Sequence, residues 1–130
     1  MDSFEVSAEF EATPRDLYAA WLNADSHTAF TQGQAESDPV VGGAFSAWDG
    51  YITGRYLALQ SGVEIVQAWR TSDFAAEDAD SQLVLQFANA ARGAKVTILH
   101  SNLPDGQGDR FRQGWQDFYF DPLRMWLASG

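Results

Sequence analysis

Histidine is the residue type in this sequence best suited to acid–base or metal chemistry, and the chain has only His27 and His100. There is no cysteine, so neither a thiolate nucleophile nor a cysteine-based metal site can form. Two distant histidines also fall short of the usual spacing of zinc ligands. His27 lies in a polar stretch and is predicted to be an ordinary exposed residue. His100 shares a predicted strand face with apolar residues, so it is either a hydrogen-bonded core histidine or an anchor for a ligand.

The other polar residues do not form a recognised catalytic or metal-binding pattern. Ser101 follows His100 in a strand, and consecutive strand side chains point to opposite faces. The acidic segment 73–80 lacks the central glycine and final glutamate of a calcium loop, so we interpret it as a solvated loop. The segment 106–108 does not have the strand-to-helix context of a phosphate loop. We therefore predict no catalytic residue, no metal and no cofactor.

Aromatic residues are abundant, with five Trp, nine Phe and four Tyr in 130 residues. Near the C-terminus, four of them recur at spacings of three and four and form one face of a predicted helix: Phe111, Trp115, Phe118 and Tyr119. Large rings fill protein cores, and they also line pockets. We predict that this helix face lies opposite four residues of the predicted strands: Phe45, Trp69, Phe87 and His100. These eight residues are the candidate ligand-binding site.

The apolar periodicity predicts the elements that would position these rings. Alternation predicts a half-buried strand over residues 4–10, and Thr13 with Pro14 predicts a helix start. That helix is expected to end at Asn23, with a second short helix or turn over residues 25–31. Turn signals, among them Asp49-Gly50, separate five further predicted strands: 44–48, 51–59, 63–70, 81–87 and 95–101. Gly54 is expected to mark a bulge or a bend.

A long helix is predicted over residues 108–127, and Pro122 should kink or split it near Phe118. The short connections between the strands predict an antiparallel sheet of about six strands. The aromatic face of the helix must be buried, and the sheet is the only surface large enough to cover it. The sequence therefore predicts a single α+β domain over residues 1–130, with a pocket wherever the bent sheet stands away from the helix.

The composition restricts partners and compartment. The formal net charge is −10 and the chain has a single lysine, Lys95, so neither a nucleic acid nor an anionic membrane surface is an expected partner. No apolar run approaches the roughly 18 residues of a membrane span, and the first residues lack the features of a signal peptide. The absence of cysteine fits a reducing compartment. We predict a cytoplasmic location.

Several segments together resemble a known family. They are the residues 12–18, 42–45, 49–54, 65–70 and 100–104, followed by Gly114-Trp115. In this order they are similar to the C-terminal-domain type of the activator of 90 kDa heat shock protein ATPase homologue family, within the START-like superfamily. The resemblance implies a helix-grip fold, in which a curved antiparallel sheet packs around the long C-terminal helix, after one or two short helices that follow the first strand.

Three functional hypotheses remain at this point. The first is a non-enzymatic domain whose internal cavity binds a small hydrophobic ligand at the aromatic residues. The second, implied by the resemblance, is a protein-interaction module related to chaperone regulation or to the stress response. The third is an enzyme, a cyclase or hydratase of the wider superfamily, which would depend on His100 with Gln67 and Tyr119 as helpers. We favour the first and predict that the protein is not an enzyme.

Overall fold

The computed structural model describes residues 1–129, with side chains to residue 128, and one antiparallel sheet dominates it. Its order is β1-β7-β6-β5-β4-β3-β2, and neighbouring strands are antiparallel throughout. The strands are β1 (Asp2–Phe10), β2 (Glu36–Ser37), β3 (Ala44–Ala47), β4 (Ile52–Gln60), β5 (Glu64–Thr71), β6 (Ser81–Ala90) and β7 (Gly93–Leu103). This confirms the predicted α+β helix-grip architecture, with one more strand, β2, than the sequence indicated.

The helices lie where the sequence predicted them. They are α1 (Pro14–Leu22), α2 (Ala24–Thr31), α3 (Gly108–Trp115) and α4 (Asp121–Ser129), with a π-helical turn (Gln116–Phe120) between the last two. The N–H of Asp16 donates to Thr13 Oγ1 at 3.1 Å and caps α1. Asn23 ends α1, and its side chain accepts the N–H of Ser26 at 2.9 Å to begin α2. One residue thus separates the two helices and turns the chain between them.

The C-terminal helix is interrupted as Pro122 predicted. Proline cannot donate a backbone hydrogen bond, and the residues just before it form the wider π-helical turn. This turn places two consecutive residues, Tyr119 and Phe120, in the core, together with Trp115 before it and Leu123 after it. The aromatic stripe therefore covers a broader face than a regular helix would give.

The sheet presents an alternating inner face to this helix. On β5 the side chains of Ile65, Gln67, Trp69 and Thr71 are buried, as the predicted parity required, and the intervening side chains are only half-buried. Gln67 is the polar exception near the middle of this face. The core continues across β6 and β7 and out to the rings on the C-terminal helix.

Gly54 was expected to mark a bulge or a bend, and the structure gives it another role. The register shift of β4 lies between Tyr56 and Ala58. Gly54 itself lies beneath the ring of Phe45, its partner on β3, and a Cβ there would come within 2.7 Å of that ring. The glycine is needed because the aromatic ring and a strand carbonyl occupy the space of a side chain.

Within residues 1–129, none of the helices has the length and apolar character needed to span a membrane.

Candidate binding site

A pocket of about 250 Å³ lies between the C-terminal helix and one end of the sheet. Its walls are almost entirely apolar, and it is open to solvent on one side. The lining residues are Trp48, Tyr51, Ile52, Trp69, Phe111, Gly114, Trp115, Phe118 and Tyr119. We call this space the outer pocket. A mainly hydrophobic and aromatic lining is common in pockets that bind small molecules.

The C-terminal helix forms one wall of the outer pocket. Phe111, Gly114 and Trp115 come from α3, and Phe118 and Tyr119 come from the π-helical turn. Gly114 is decisive for the space, because it has no side chain among four large rings. A Cβ at this position would meet only Phe118 Cδ2, at 3.8 Å. The pocket therefore exists partly because residue 114 is glycine.

Trp69 of β5 forms the base of the pocket. Its ring meets Phe111 edge to face at 5.2 Å and Trp115 at 5.9 Å between ring centroids. On its other side it meets the ring of His100 edge to face at 4.6 Å. Such packing fixes the position of the indole, and offset and edge-to-face pairs of this kind stabilise a folded protein by about 0.5–1.5 kcal/mol each.

The β3–β4 hairpin forms the opposite wall. Trp48 has a left-handed backbone, with φ of 53°, and its ring packs on Gly33 and against the ring of Phe118 at 5.9 Å. Phe118 is 57% exposed, so it lies at the mouth of the pocket rather than inside it. The sequence placed Phe118 within the buried aromatic stripe. The π-helical turn instead directs it to the rim.

A polar cluster closes the other side of the mouth. The hydroxyl of Tyr51 donates to Asp73 Oδ2 at 2.6 Å, and Arg110 Nη2 donates to the hydroxyl at 2.7 Å and also to the carboxylate. The hydrogen bond from Tyr51, followed by that from Arg110, lowers the pKa of Asp73. The loop between β5 and β6 is thereby tied to α3. Asp73 is exposed, as expected for a solvated loop, and it also holds this loop to α3 through the ion pair with Arg110.

His100 lies behind the pocket, not in its wall. The Nε1–H of Trp115 can only donate, and it donates to His100 Nδ1 at 3.2 Å. The hydroxyl of Ser81 donates to the carbonyl of Trp69 at 2.6 Å, so His100 Nε2–H donates to Ser81 Oγ at 2.9 Å. Burial lowers the pKa of His100 to about 3. His100 is thus the hydrogen-bonded core histidine of the two alternatives.

His27 corrects a prediction. We expected an exposed residue. In the structure, His27 lies on the side of α2 that faces the C-terminal helix, and 8% of its surface is exposed. Its Nδ1–H donates to the carbonyl of Trp21 at 3.0 Å, and its Nε2 accepts from the hydroxyl of Tyr119 at 3.3 Å. Burial lowers the pKa of His27 to about 4 and raises that of Tyr119. The polar neighbours of His27 in the sequence lie on the outer side of α2, which explains the error.

The structure brings together five of the eight candidate residues. Trp69, Phe111, Trp115, Phe118 and Tyr119 line the outer pocket. Three candidates lie elsewhere. His100 is behind Trp69, Phe87 packs edge to face on Tyr18 beneath α1, and Phe45 packs on Tyr56 beside a smaller cavity.

Four lining residues were missed by the sequence analysis: Trp48, Tyr51, Ile52 and Gly114. The first three flank the Asp49-Gly50 turn, and that hairpin signal could have indicated that they end up close together. No such signal accompanies Gly114. A glycine inside a helix lowers its stability by roughly 0.5–1 kcal/mol relative to alanine. The sequence alone does not show that space is needed at this position. Among the described residues, no group of three or more His, Asp or Glu side chains could hold a metal ion.

Comparison with solved structures supports the helix-grip class. An Hsp90 activator from Plasmodium falciparum superposes with a TM-score of 0.87 at 26% identity, covering 97% of this chain and 96% of that one. A protein from Mesorhizobium loti has a TM-score of 0.82 at 18% identity, with 98% of both chains covered, and shares the fold.

The sequence itself assigns the family. The profile described as Activator of Hsp90 ATPase homolog 1-like protein matches residues 11–128, and this chain belongs to that family. The resemblance drawn from the sequence segments is confirmed.

The curated relatives are longer proteins. The activator of 90 kDa heat shock protein ATPase homolog of Dictyostelium discoideum is 27% identical over 123 residues, which is 94% of this chain and 32% of the relative. The human activator of 90 kDa heat shock protein ATPase homolog 1 is 26% identical over 121 residues, or 93% of this chain and 36% of the relative. The chain thus spans about a third of the length of the curated relatives it matches.

Proposed function

We propose that this protein binds a small, mainly apolar ligand in the outer pocket and acts through binding rather than catalysis. The observation that carries the proposal is the pocket itself, about 250 Å³ of apolar space beside Gly114 and open to solvent. A folded core is normally close-packed, with few voids larger than a water molecule. The rings that line a space of this size lack dispersion contacts on that side, and an apolar ligand would provide them.

The binding role is favoured over an enzymatic one by the state of His100. Both of its ring nitrogens are engaged, with Trp115 and Ser81, and its side chain is 1% exposed. A general acid or base must come within hydrogen-bonding reach of the group that it protonates or deprotonates. The polar side-chain groups of the residues that line the outer pocket are the hydroxyls of Tyr51 and Tyr119 and the indole N–H groups of the three tryptophans, and none of these is a histidine or a carboxylate.

A pair of leucine substitutions tests the proposal. Gly114→Leu would direct a side chain into the outer pocket, and its Cβ has room, since the nearest atom there is Phe118 Cδ2 at 3.8 Å. Gln116→Leu adds the same side chain at an exposed position of the adjoining π-helical turn. Native mass spectrometry and thermal-shift measurements with apolar aromatic compounds should detect a ligand in the wild type and in Gln116→Leu but not in Gly114→Leu. Equal binding by both variants would place the ligand elsewhere and refute the proposal.

A second function, regulation of a chaperone, is supported by the family. The relatives in Dictyostelium discoideum and Homo sapiens are named activators of the 90 kDa heat shock protein ATPase. We propose the cytoplasm as the compartment in which either function operates, since the sequence has no cysteine to protect from oxidation.

A direct assay separates the second function from the first. Purified full-length protein would be added to the Hsp90 homologue of the same organism, and the ATPase rate would be measured at low and moderate salt. An increase in rate that persists in Gly114→Leu supports a chaperone role independent of the pocket. No change in rate and no co-purification would exclude the chaperone role for this chain.

A further inference from the structure

A second, smaller cavity adjoins the outer pocket on its inner side. It has a volume of about 20 Å³, and we call it the inner cavity. Ile52, Trp69 and Tyr119 line both spaces, so these side chains form the boundary between them. About 10–15 Å³ is enough for one water molecule. The inner cavity therefore has room for one small polar group.

The inner cavity contains a buried amide that lacks a protein partner. Gln67 lines this cavity and is 2% exposed. Its side-chain amide makes no hydrogen bond to a described residue, and its polar atoms are not fully shielded, so the amide faces the cavity. A primary amide can donate two hydrogen bonds and accept two. An unpaired polar group inside a protein is destabilising, and the large majority of buried polar side chains are paired for this reason.

Two of the other polar side chains around the inner cavity are already engaged. The hydroxyl of Tyr56 is 2.7 Å from Ser37 Oγ, and the ring of His27 is bonded on both nitrogens. Of the groups that remain, Ser46 is half-buried and the indole N–H of Trp69 can only donate. The amide of Gln67 is therefore the buried group that can both donate to and accept from a ligand.

No cation faces this space from the described residues that line it. His27 is neutral, because burial lowers its pKa to about 4. Glu36, at the exposed rim, is the single carboxylate in the lining. A ligand carboxylate would therefore lose its hydration without gaining a counter-charge, which is strongly unfavourable. An uncharged alcohol, ketone or amide does not carry this penalty of burying a charge.

We propose that the ligand is an uncharged molecule with an apolar, ring-sized body in the outer pocket and one hydrogen-bonding group that reaches past Tyr119 to the amide of Gln67. This inference rests on the proposed binding function and specifies the class of ligand. The outer pocket would contact the apolar body of the ligand without fixing its orientation. The amide of Gln67 would fix the orientation through a hydrogen bond at one end of the ligand. Together they favour a hydroxyl-bearing compound over its hydrocarbon analogue and over its acid.

Three probes of matched shape test this class. They are 2-naphthol, 2-methylnaphthalene and 2-naphthoate, measured by isothermal titration calorimetry at pH 7. Wild-type protein should bind 2-naphthol about fivefold to tenfold more tightly than 2-methylnaphthalene, the range expected for one net hydrogen bond. It should bind 2-naphthoate most weakly. Equal affinity for the first two probes, or tightest binding of the acid, would overturn the proposal while leaving an apolar pocket in place.

Substitution of the amide provides the second arm. Gln67→Leu should bind 2-methylnaphthalene as the wild type does and lose the preference for 2-naphthol. Gln82→Leu, at an exposed glutamine on β6, is the matched control and should keep that preference. If Gln67→Leu retains the preference, the amide is not the contact. If the wild type binds none of the probes, the binding function fails for this class, a result distinct from a loss of selectivity alone.

Discussion

The two histidines are buried as neutral rings with opposite tautomers. His100 carries its proton on Nε2, because Trp115 can only donate to Nδ1. His27 carries its proton on Nδ1, because the carbonyl of Trp21 can only accept. Each ring accepts one hydrogen bond from the C-terminal helix, from Trp115 or Tyr119, and donates one to another element, to Ser81 or to the carbonyl of Trp21.

This arrangement gives a spectroscopic prediction. Long-range ¹H–¹⁵N spectra of histidine-labelled protein at pH 7 should show one Nε2-protonated and one Nδ1-protonated ring, and no imidazolium. His27→Asn should remove the Nδ1-protonated set and leave the other unchanged. Two rings of the same tautomer would contradict the hydrogen-bond assignment at His27 or His100.

From the sequence, the burial of His100 could be predicted, but the burial of His27 could not. The alternation of β7 placed His100 on the buried face together with Val96 and Ile98, and the structure confirms that face. His27 was misassigned because its burial depends on Tyr119, which lies 92 positions later in the chain. A local polar stretch does not reveal a contact across that separation.

Within the secondary-structure elements, Gly54 and Gly114 differ in whether the structure has space for a side chain. A Cβ at Gly54 would lie 1.9 Å from the carbonyl oxygen of Ala68, so the strand backbone itself excludes a side chain. At Gly114 the nearest atom would be 3.8 Å away, so the position tolerates a side chain.

Alanine substitutions should therefore change stability in opposite directions. Gly54→Ala should lower the free energy of unfolding by roughly 1–3 kcal/mol, because an added methyl group overpacks the strand. Gly114→Ala should raise it by about 0.5–1 kcal/mol, because alanine is the better helix former. Urea unfolding of both variants against the wild type measures the two values. A loss of stability in Gly114→Ala would show that the helix needs the glycine for its backbone.

The elements themselves were largely predictable. Alternation predicted the first strand, turn signals delimited the five other longer strands, and the Thr13-Pro14 and Asn23 signals predicted the first helix boundaries. β2 was missed because two residues are too few for a periodicity to be recognised. The π-helical turn was missed as such, although Pro122 located the interruption. Its geometry depends on packing Tyr119 and Phe120 side by side, which no local pattern specifies.

For the whole molecule, the buried histidines make the fold sensitive to mild acid. Both have folded-state pKa values below the ordinary value of 6.5, about 4 for His27 and about 3 for His100. The unfolded chain therefore takes up these protons first as the pH falls. The stabilisation from the neutral rings is complete above about pH 6.5 and is lost progressively between that pH and the folded-state values.

The expected size of this effect is about 2 kcal/mol for each histidine between pH 7 and pH 5. Urea unfolding at the two pH values should show the decrease, and His27→Gln should reduce the difference by about half. A free energy of unfolding that is the same at both pH values would mean that neither ring is buried in its neutral form.

The close-packed indoles have an optical consequence. Trp115 lies 5.9 Å from Trp69, 6.2 Å from Trp21 and 4.6 Å from the ring of Tyr119, measured between centroids. Chromophores this close couple their electronic transitions, and the sign and strength of the resulting near-ultraviolet circular dichroism depend on the angles between the rings. Because two of these indoles and the tyrosine ring also line the outer pocket, a small tilt caused by an occupant would alter the spectrum. The protein therefore carries an intrinsic, label-free signal of its own occupancy.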